Sequence, residues 1–186
     1  QGLEPFTAPA AGTATNDVLH RYELAGRYLL AVGQGDPRKN IEFLLPVMES
    51  LRAGIDPTLQ LVIVSGRKRP SHTAVQTQWP AWVREAIAPT DEELCALYSG
   101  ARALCFPSFA EGFGRPPLQA LACGTPAIVS SYRAARELFA GHMPVPPLDP
   151  EQWVAALAPL VTSDAARLQH VAEAQGLLAR LSWKTC

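Results

Sequence analysis

Short apolar runs alternate with amphipathic stretches through most of this chain, and no other feature restricts its fold as strongly. Four of these runs have the length of a strand that is buried on both faces: 28–33, 59–66, 103–108 and 126–131. Weaker strand candidates lie at 82–87 and, as a proline-containing edge strand, at 143–147. Strands that alternate with helices at this spacing form right-handed βαβ units. The pattern therefore predicts an α/β fold, with a Rossmann-like, doubly wound parallel sheet of about six strands and helices on both faces.

Helix start signals stand between these runs. Asp36 precedes Pro37, an N-cap followed by a proline in the first turn, and Thr90 and Glu93 occupy the two key places of a capping box. The predicted helices cover about 36–54, 91–99, 116–123, 133–140, 150–162 and 163–180. Residues 1–20 are rich in Ala, Pro, Thr and Gly without a period, so we expect an interdomain linker or arm there and one domain over 21–186.

Composition excludes several classes of protein. The 186 residues are 48% apolar and carry a net charge of −1, which suits one globular core and argues against a basic nucleic-acid-binding surface. The sequence has no apolar run of about 18 residues and no signal-peptide pattern, so we expect a cytoplasmic location. The cysteines form no C-x-x-C pair and are expected to be reduced and mostly buried: Cys95, Cys105, Cys123 and Cys186. The scattered His and Cys residues do not predict a metal site.

Loops at the carboxyl ends of parallel strands are where such sheets bind ligands: here 33–39, 65–70, 88–91, 107–116 and 130–133. The first of these loops places Arg38 and Lys39 at the start of a helix, where the helix dipole disfavours cations unless an anion is bound nearby. A phosphate would satisfy both cations, and the alternative is a pair of solvated surface side chains. Ser65 and Gly66 stand at the end of the second strand and are candidates to line the same crevice.

The loop at 107–116 carries a carboxylate beside two glycines. Gly112 and Gly114 remove side chains from the approach to a helix N-terminus, where free backbone N–H groups can bind an anion. Glu111 cannot neutralise an anion, so we expect it to accept hydrogen bonds from sugar hydroxyls. The alternative is that the glycines only form a strand-to-helix turn and that Glu111 caps the helix.

Several blocks of this sequence resemble one enzyme family, in the family's order. The main block is PSFAEGFGRPPLQALACGTP, at 107–126, and the others are YLLAVGQGDPRKN at 28–40, PTDEEL at 89–94 followed by Leu97 and Tyr98, SWKT at 182–185 and GLEPF at 2–6. Together they resemble the retaining nucleotide-sugar glycosyltransferases with the GT-B fold, the group-four family that includes many bacterial mannosyl- and glucosyltransferases. The resemblance covers only the C-terminal, donor-binding half of such enzymes.

The resemblance implies a role for individual residues. Lys39, helped by Arg38, would neutralise the donor diphosphate, which the backbone of Gly112, Phe113 and Gly114 would also hold. Glu111 would face the hydroxyls of the transferred hexose. The base of the nucleotide would lie near Ala88, at 87–89, and be read mainly by backbone groups.

The sequence departs from the family's pattern at two positions. The second acid of the family's E-x7-E pair, which usually binds the ribose, is Gln119 here. An Arg that commonly follows the first strand is replaced by Gln34, which removes one phosphate-binding cation. Both changes predict an altered nucleotide affinity or base preference, because hydrogen bonds that involve a charge are stronger than neutral ones.

The resemblance also implies a reaction and its partners. A hexose would pass from a UDP- or GDP-sugar to a glycan or lipid-linked acceptor with retention of configuration, with no cofactor and no metal. The acceptor domain would precede residue 1, so we expect this chain alone to be inactive, and any membrane contact to belong to the full-length protein.

Three alternatives remain open at this stage. The first is a non-catalytic nucleotide-sugar-binding module, in which Gln34 and Gln119 mark the loss of donor use. The second is a sugar-nucleotide epimerase of similar architecture, which needs a further carboxylate in the crevice, with Glu137 as the candidate. The third is a doubly wound domain of unrelated function.

Overall fold

In the described part of the molecule, a five-stranded parallel sheet forms the core. The computed structural model describes residues 13–24, 26–33, 35–66, 79–112 and 114–181. The strands are β1 (Tyr28–Val32), β2 (Gln60–Ser65), β3 (Val83–Ile87), β4 (Ala103–Phe106) and β5 (Ala127–Val129), in the spatial order β3-β2-β1-β4-β5. All neighbouring strands pair in parallel. The α/β fold with a parallel sheet is therefore confirmed, and the carboxyl ends of all five strands meet at one edge.

Helices cover both faces of this sheet. They are α1 (Thr13–Arg21), α2 (Leu44–Gly54), α3 (Asp91–Gly100), α4 (Arg115–Ala122), α5 (Arg133–Phe139), α6 (Pro150–Thr162) and α7 (Asp164–Leu181), with short 3₁₀ turns at Pro37–Lys39 and Ile41–Phe43. Successive strand residues point to opposite faces, so Leu30 packs in the core under α3, α4, α5 and α7, whereas Leu29 and Ala31 pack in the core under α2 and α6. Burial on both faces explains why β1, β2, β4 and β5 are continuous apolar runs.

The predicted sixth strand at 143–147 is wrong. This segment has no strand among the described residues, and only one backbone bond, from Ser131 N to the carbonyl of Pro146 (2.9 Å), joins it to the segment after β5. Pro144, Pro146 and Pro147 have no N–H group, so they cannot donate to a strand ladder even at a sheet edge.

Two segments have helical structure that the sequence did not predict in this form. The segment expected to be one helix over 36–54 begins with two 3₁₀ turns, because Asn40 between them adopts a left-handed conformation (φ 51°). The segment at 1–20, predicted to be a linker or arm, contains most of α1, whose Val18 and Leu19 pack against the core, as does Tyr22 just after the helix.

The capping box predicted for α3 is present. Thr90 Oγ1 accepts from Glu93 N (3.2 Å), and the Glu93 carboxylate accepts from Thr90 N (2.9 Å). The helix therefore begins where local sequence signals place it. Cys95, Cys105 and Cys123 are buried and reduced, as predicted, and Cys186 lies outside the described residues. No helix in the described part of the chain combines the length and apolar character needed to span a bilayer.

Candidate functional site

The loop after β1 directs one lysine across the end of the sheet. Asp36 caps the first 3₁₀ turn by accepting from Arg38 N (3.0 Å), and this turn brings Lys39 back over Gly33. The Arg38 side chain lies elsewhere, because its guanidinium pairs with Asp36 (2.6 Å) and is largely exposed. Of the two cations predicted in this loop, Lys39 alone therefore turns inward.

The loop after β4 is held against the loop after β1 by two hydrogen bonds. Phe109 N donates to the carbonyl of Arg38 (2.9 Å), and Asn40 Nδ2 donates to the carbonyl of Pro107 (3.2 Å). Because β1 and β4 are neighbours in the sheet, these bonds fix the two loops side by side.

Lys39 and Glu111 form an ion pair across these two loops. The distance from Lys39 Nζ to Glu111 Oε1 is 2.7 Å, and the two side chains are only 17% and 15% exposed. The ammonium group also lies 4.8 Å from the centre of the Phe106 ring, a favourable cation–π distance. The sequence predicted that Lys39 and Glu111 share one crevice, and the structure places their charged atoms in contact. A cation that can bind phosphate thus stands beside a carboxylate that can accept hydroxyl hydrogen bonds.

The N-terminus of α4 follows this pair directly. Gly114 is the N-cap of α4 in a left-handed conformation (φ 70°), and no side chain caps this helix within the described residues. Pro116 and Pro117 in the first turn have no N–H group, so an anion here could use fewer backbone donors than at most helix ends. Gly112 is exposed beside the helix end, and Phe113 lies outside the described residues.

Other predicted site residues lie at the same sheet edge. Ser65 is buried at the end of β2, and its carbonyl accepts from Ala88 N (2.7 Å) just after β3, while Gly66 is exposed. Ala88 has a positive φ of 48°, which is uncommon for a residue with a side chain. Gln119, half-buried on α4, accepts from the Tyr98 hydroxyl at 3.5 Å. No described contact joins Ser65, Ala88 or Gln119 to the Lys39–Glu111 pair.

Two hydroxyl groups at this edge lack a hydrogen-bond partner within the described part of the chain. They are Ser108 Oγ, in the loop after β4, and Tyr132 Oη, in the loop after β5. Burial raises the pKa of Tyr132, and the Glu111 carboxylate raises it further, so this phenol stays protonated. The predicted topology indicates the loop at 130–133 as a ligand-binding loop, but the sequence does not single out Tyr132, because the direction of a tyrosine side chain depends on packing.

Glu137 does not join this site. It lies on α5, pairs with Arg133 one turn earlier (3.2 Å), and its side chain is 68% exposed. Within the described ranges, no group of three or more His, Cys, Asp or Glu side chains could hold a metal ion.

Comparison with known proteins places the chain in a family. A family model described as glycosyl transferases group 1 matches residues 21–176. The chain is 31% identical over 177 residues to the O-antigen chain mannosyltransferase B of Escherichia coli, covering 91% of this chain and 46% of the relative. It is 35% identical over 135 residues to the O-antigen chain mannosyltransferase RfbU of Salmonella typhimurium, covering 70% of this chain and 37% of the relative.

Solved structures agree with this assignment at the level of the fold. WaaG, a glycosyltransferase involved in lipopolysaccharide biosynthesis, superposes with a TM-score of 0.74 at 18% identity, covering 96% of this chain and 50% of that chain. This chain spans about half or less of the length of the relatives it matches. Because the family model matches most of its residues, the chain belongs to the family of glycosyl transferases group 1.

Proposed function

We propose that this chain is the donor-binding half of a retaining glycosyltransferase. The complete enzyme would transfer a hexose of the mannose or glucose type from a nucleoside-diphosphate sugar to a glycan or lipid-linked acceptor. The observation that supports this most directly is the contact between Lys39 and Glu111 at the carboxyl edge of the sheet. The names of the relatives, two O-antigen chain mannosyltransferases, favour a hexose donor.

The proposed mechanism relies on stabilising the leaving group. Departure of the nucleoside diphosphate leaves negative charge on a phosphate oxygen and positive charge on the sugar ring. Lys39 Nζ, with the backbone N–H groups before α4, would stabilise the first charge, which lowers the barrier because these donors are already positioned. In this proposal these groups act without a metal, and Arg38 contributes only if it leaves Asp36.

Glu111 would hold the hexose through its hydroxyl groups. A carboxylate accepts hydrogen bonds from neighbouring hydroxyls, so it can orient the sugar above the diphosphate. In the structure the same carboxylate is paired with Lys39. Donor binding would therefore replace one ion pair with two separate contacts, from Lys39 to the diphosphate and from Glu111 to the sugar.

The rest of the enzyme would supply the acceptor. The relatives are about twice as long as this chain, and we place the acceptor-binding domain in the additional length. We expect the chain alone to have little transferase activity and the enzyme to act in the cytoplasm.

The alternatives receive less support from the site. An epimerase would need a second carboxylate in the crevice, whereas Glu137 is exposed and paired on α5. A non-catalytic binding module would retain the same crevice, so activity of the full-length protein with Gln34 and Gln119 in place would exclude it.

The direct test of the proposal is nucleotide binding to a Lys39→Ala variant. We expect UDP or GDP to bind the wild-type chain and Lys39→Ala to weaken that binding by about 1.5–3 kcal/mol, the free energy of a hydrogen bond to a charged group. Isothermal titration calorimetry measures this directly, and circular dichroism checks that the variant is folded. Arg133→Ala is the control because it removes the same charge from the exposed pair on α5. Equal affinity in wild type and Lys39→Ala, or no binding to the wild type, would contradict the proposal.

A further inference from the structure

The side chain of Tyr132 ends in a buried hydroxyl that finds no hydrogen-bond partner among the residues described here. The residue follows β5 at the carboxyl edge of the sheet and is 8% exposed, and its Oη atom has no partner within the described part of the chain. Tyr28, which is buried to a similar degree, donates from Oη to the carbonyl of Leu97 (2.7 Å). A buried hydroxyl that makes no hydrogen bond destabilises a folded protein and calls for an explanation.

The surroundings of Tyr132 point to the loop that carries Glu111. The hydroxyl lies against the α-carbon of Gly114, because a Cβ atom added there would be 2.9 Å from Oη. The backbone around Tyr132 is fixed to the same loop, since Tyr132 N donates to the carbonyl of Ser130 (2.9 Å) and the Ser130 hydroxyl donates to the carbonyl of Ser108. The tyrosine is therefore held beside the segment between Glu111 and α4.

Binding of the sugar nucleotide would leave the Glu111 carboxylate in need of a new hydrogen-bond donor. If Lys39 turns to the diphosphate, as the proposed function requires, Glu111 loses the only ion-pair partner that it has among the described residues. The hexose hydroxyls fill only some of the acceptor positions of a carboxylate, so a mostly buried Glu111 that has lost its charged partner needs a further hydrogen-bond donor. Tyr132 is near enough to Glu111 for the carboxylate charge to raise the pKa of the phenol, and this neutral phenol can donate one hydrogen bond without competing for the phosphate.

We propose that Tyr132 is a positioning residue whose hydroxyl donates to the Glu111 carboxylate when Lys39 binds the donor diphosphate. The tyrosine would then hold Glu111 toward the hexose, which extends the proposed function and depends on it. In the free protein its hydroxyl has no partner among the described residues, so the residue would lower stability and raise the affinity for the sugar donor. A purely structural tyrosine would instead raise the stability of the free protein and leave the affinity for the sugar donor unchanged.

The first experiment compares Tyr132→Phe with Tyr28→Phe in the 186-residue chain. The probes are UDP, GDP, UDP-glucose and GDP-mannose, each measured by isothermal titration calorimetry together with the Tm of the free protein. For Tyr132→Phe we expect a Tm equal to or above that of the wild type and about tenfold weaker binding of the probes that the wild type binds, as for one lost bond to a charged group. For Tyr28→Phe we expect a Tm lower by about 2–4 °C with unchanged affinity.

A double-mutant cycle then tests whether Glu111 is the acceptor. Tyr132→Phe should weaken binding in the wild-type background and change it by less than about twofold in a Glu111→Ala background, because contacting residues are not additive. A tenfold loss in both backgrounds would overturn the assignment of Glu111 as the acceptor. Wild-type affinity in Tyr132→Phe, or a lowered Tm, would overturn the positioning role while leaving the proposed function intact. If the wild-type chain bound none of the four probes, the proposed function would fail and this inference with it.

Discussion

The side chain of Lys39 passes directly over the α-carbon of Gly33. A Cβ atom at Gly33 would lie 2.8 Å from both Cγ and Cε of Lys39, closer than such atoms approach in real proteins. Gly33 also has a φ of 113°, a conformation that residues with a side chain rarely adopt. The missing side chain after β1 thus provides the path by which Lys39 reaches Glu111.

We predict that Gly33→Ala misdirects Lys39. The variant should bind UDP or GDP about tenfold more weakly, because the lysine can no longer cross the end of β1. Gly35→Ala is a matched control, since Gly35 has a similar φ of 93° but a Cβ atom added there would meet no other atom within 4 Å. Both variants should lose about 1–2 kcal/mol of unfolding free energy from backbone strain. Calorimetric titration of the two proteins checks the difference, and an equal loss of affinity in both would contradict it.

We predict that Gly114→Ala destabilises the protein more than Gly124→Ala. The two glycines have nearly the same φ, 70° and 72°, but only the Cβ at Gly114 would approach Tyr132 Oη, at 2.9 Å, and Phe139, at 3.6 Å. Overpacking should add about 1–3 kcal/mol to the strain that both variants share. Urea unfolding monitored by fluorescence or circular dichroism measures both.

A second substitution tests the cause of that difference. Adding Tyr132→Phe to Gly114→Ala should recover part of the lost stability, because the atom nearest to the new methyl group is the hydroxyl. If the double variant is no more stable than Gly114→Ala, the contact with the hydroxyl is not the source of the additional loss.

Local signals in the sequence predicted the elements of the sheet well. The apolar runs identified β1, β2, β4 and β5, and the weaker run at 82–87 contains β3. Strands β1, β2 and β4 lie inside the sheet and β5 is buried along its length, so their sequences are apolar throughout. Strand β3 is at the edge with only Val83 and Ala86 buried, which is why its apolar run is weaker. The segment at 143–147 is apolar enough to be predicted as a strand, but its prolines leave it too few N–H donors to pair with one.

The sequence predicted individual site residues within a loop, but not the contacts between residues of different loops. Lys39 and Glu111 each stand out in their own loop, but they are far apart in sequence, and their contact depends on β1 and β4 being neighbours. The pairing of Arg38 with Asp36 and the position of the Tyr132 hydroxyl result from side-chain directions. Topology predicts which loops meet, whereas packing determines which atoms within them touch.

We predict that His170 makes the protein less stable as the pH falls below neutrality. Burial lowers the pKa of His170, whose Nε2 accepts from Ala127 N (3.3 Å), while the charge of Glu173 only partly opposes that shift. Below about pH 6.5, the usual value for a histidine, the unfolded chain takes up a proton that the folded chain does not. Stability is therefore complete above this pH and decreases as the pH falls toward the lowered pKa.

The measurement is urea unfolding at pH 8 and pH 5.5. The wild type should be less stable at pH 5.5, and His170→Gln, whose amide oxygen can accept the same bond without titrating, should show a smaller difference. The carboxylates with lowered pKa values, including Asp56 and Asp164, lose their contribution only at more acidic pH, so they do not mask this effect. An identical pH dependence in both proteins would show that His170 is not the responsible group.

We predict that Gln119→Glu tightens nucleotide binding through the ribose. Gln119 is half-buried on α4, where its side-chain oxygen accepts from Tyr98 Oη at 3.5 Å. A carboxylate there would accept hydrogen bonds from the ribose hydroxyls more strongly than an amide, by about 1 kcal/mol or roughly fivefold in affinity. The ribonucleotide should therefore bind Gln119→Glu more tightly than wild type, whereas its 2′,3′-dideoxy analogue should bind both proteins alike. Calorimetric titration with UDP or GDP and the matching dideoxy nucleotide separates a gain at the ribose from a general charge effect. Repulsion between the new carboxylate and the diphosphate would weaken the binding of both nucleotides equally. If the substitution fails to favour the ribonucleotide over the dideoxy form, the ribose does not lie beside residue 119.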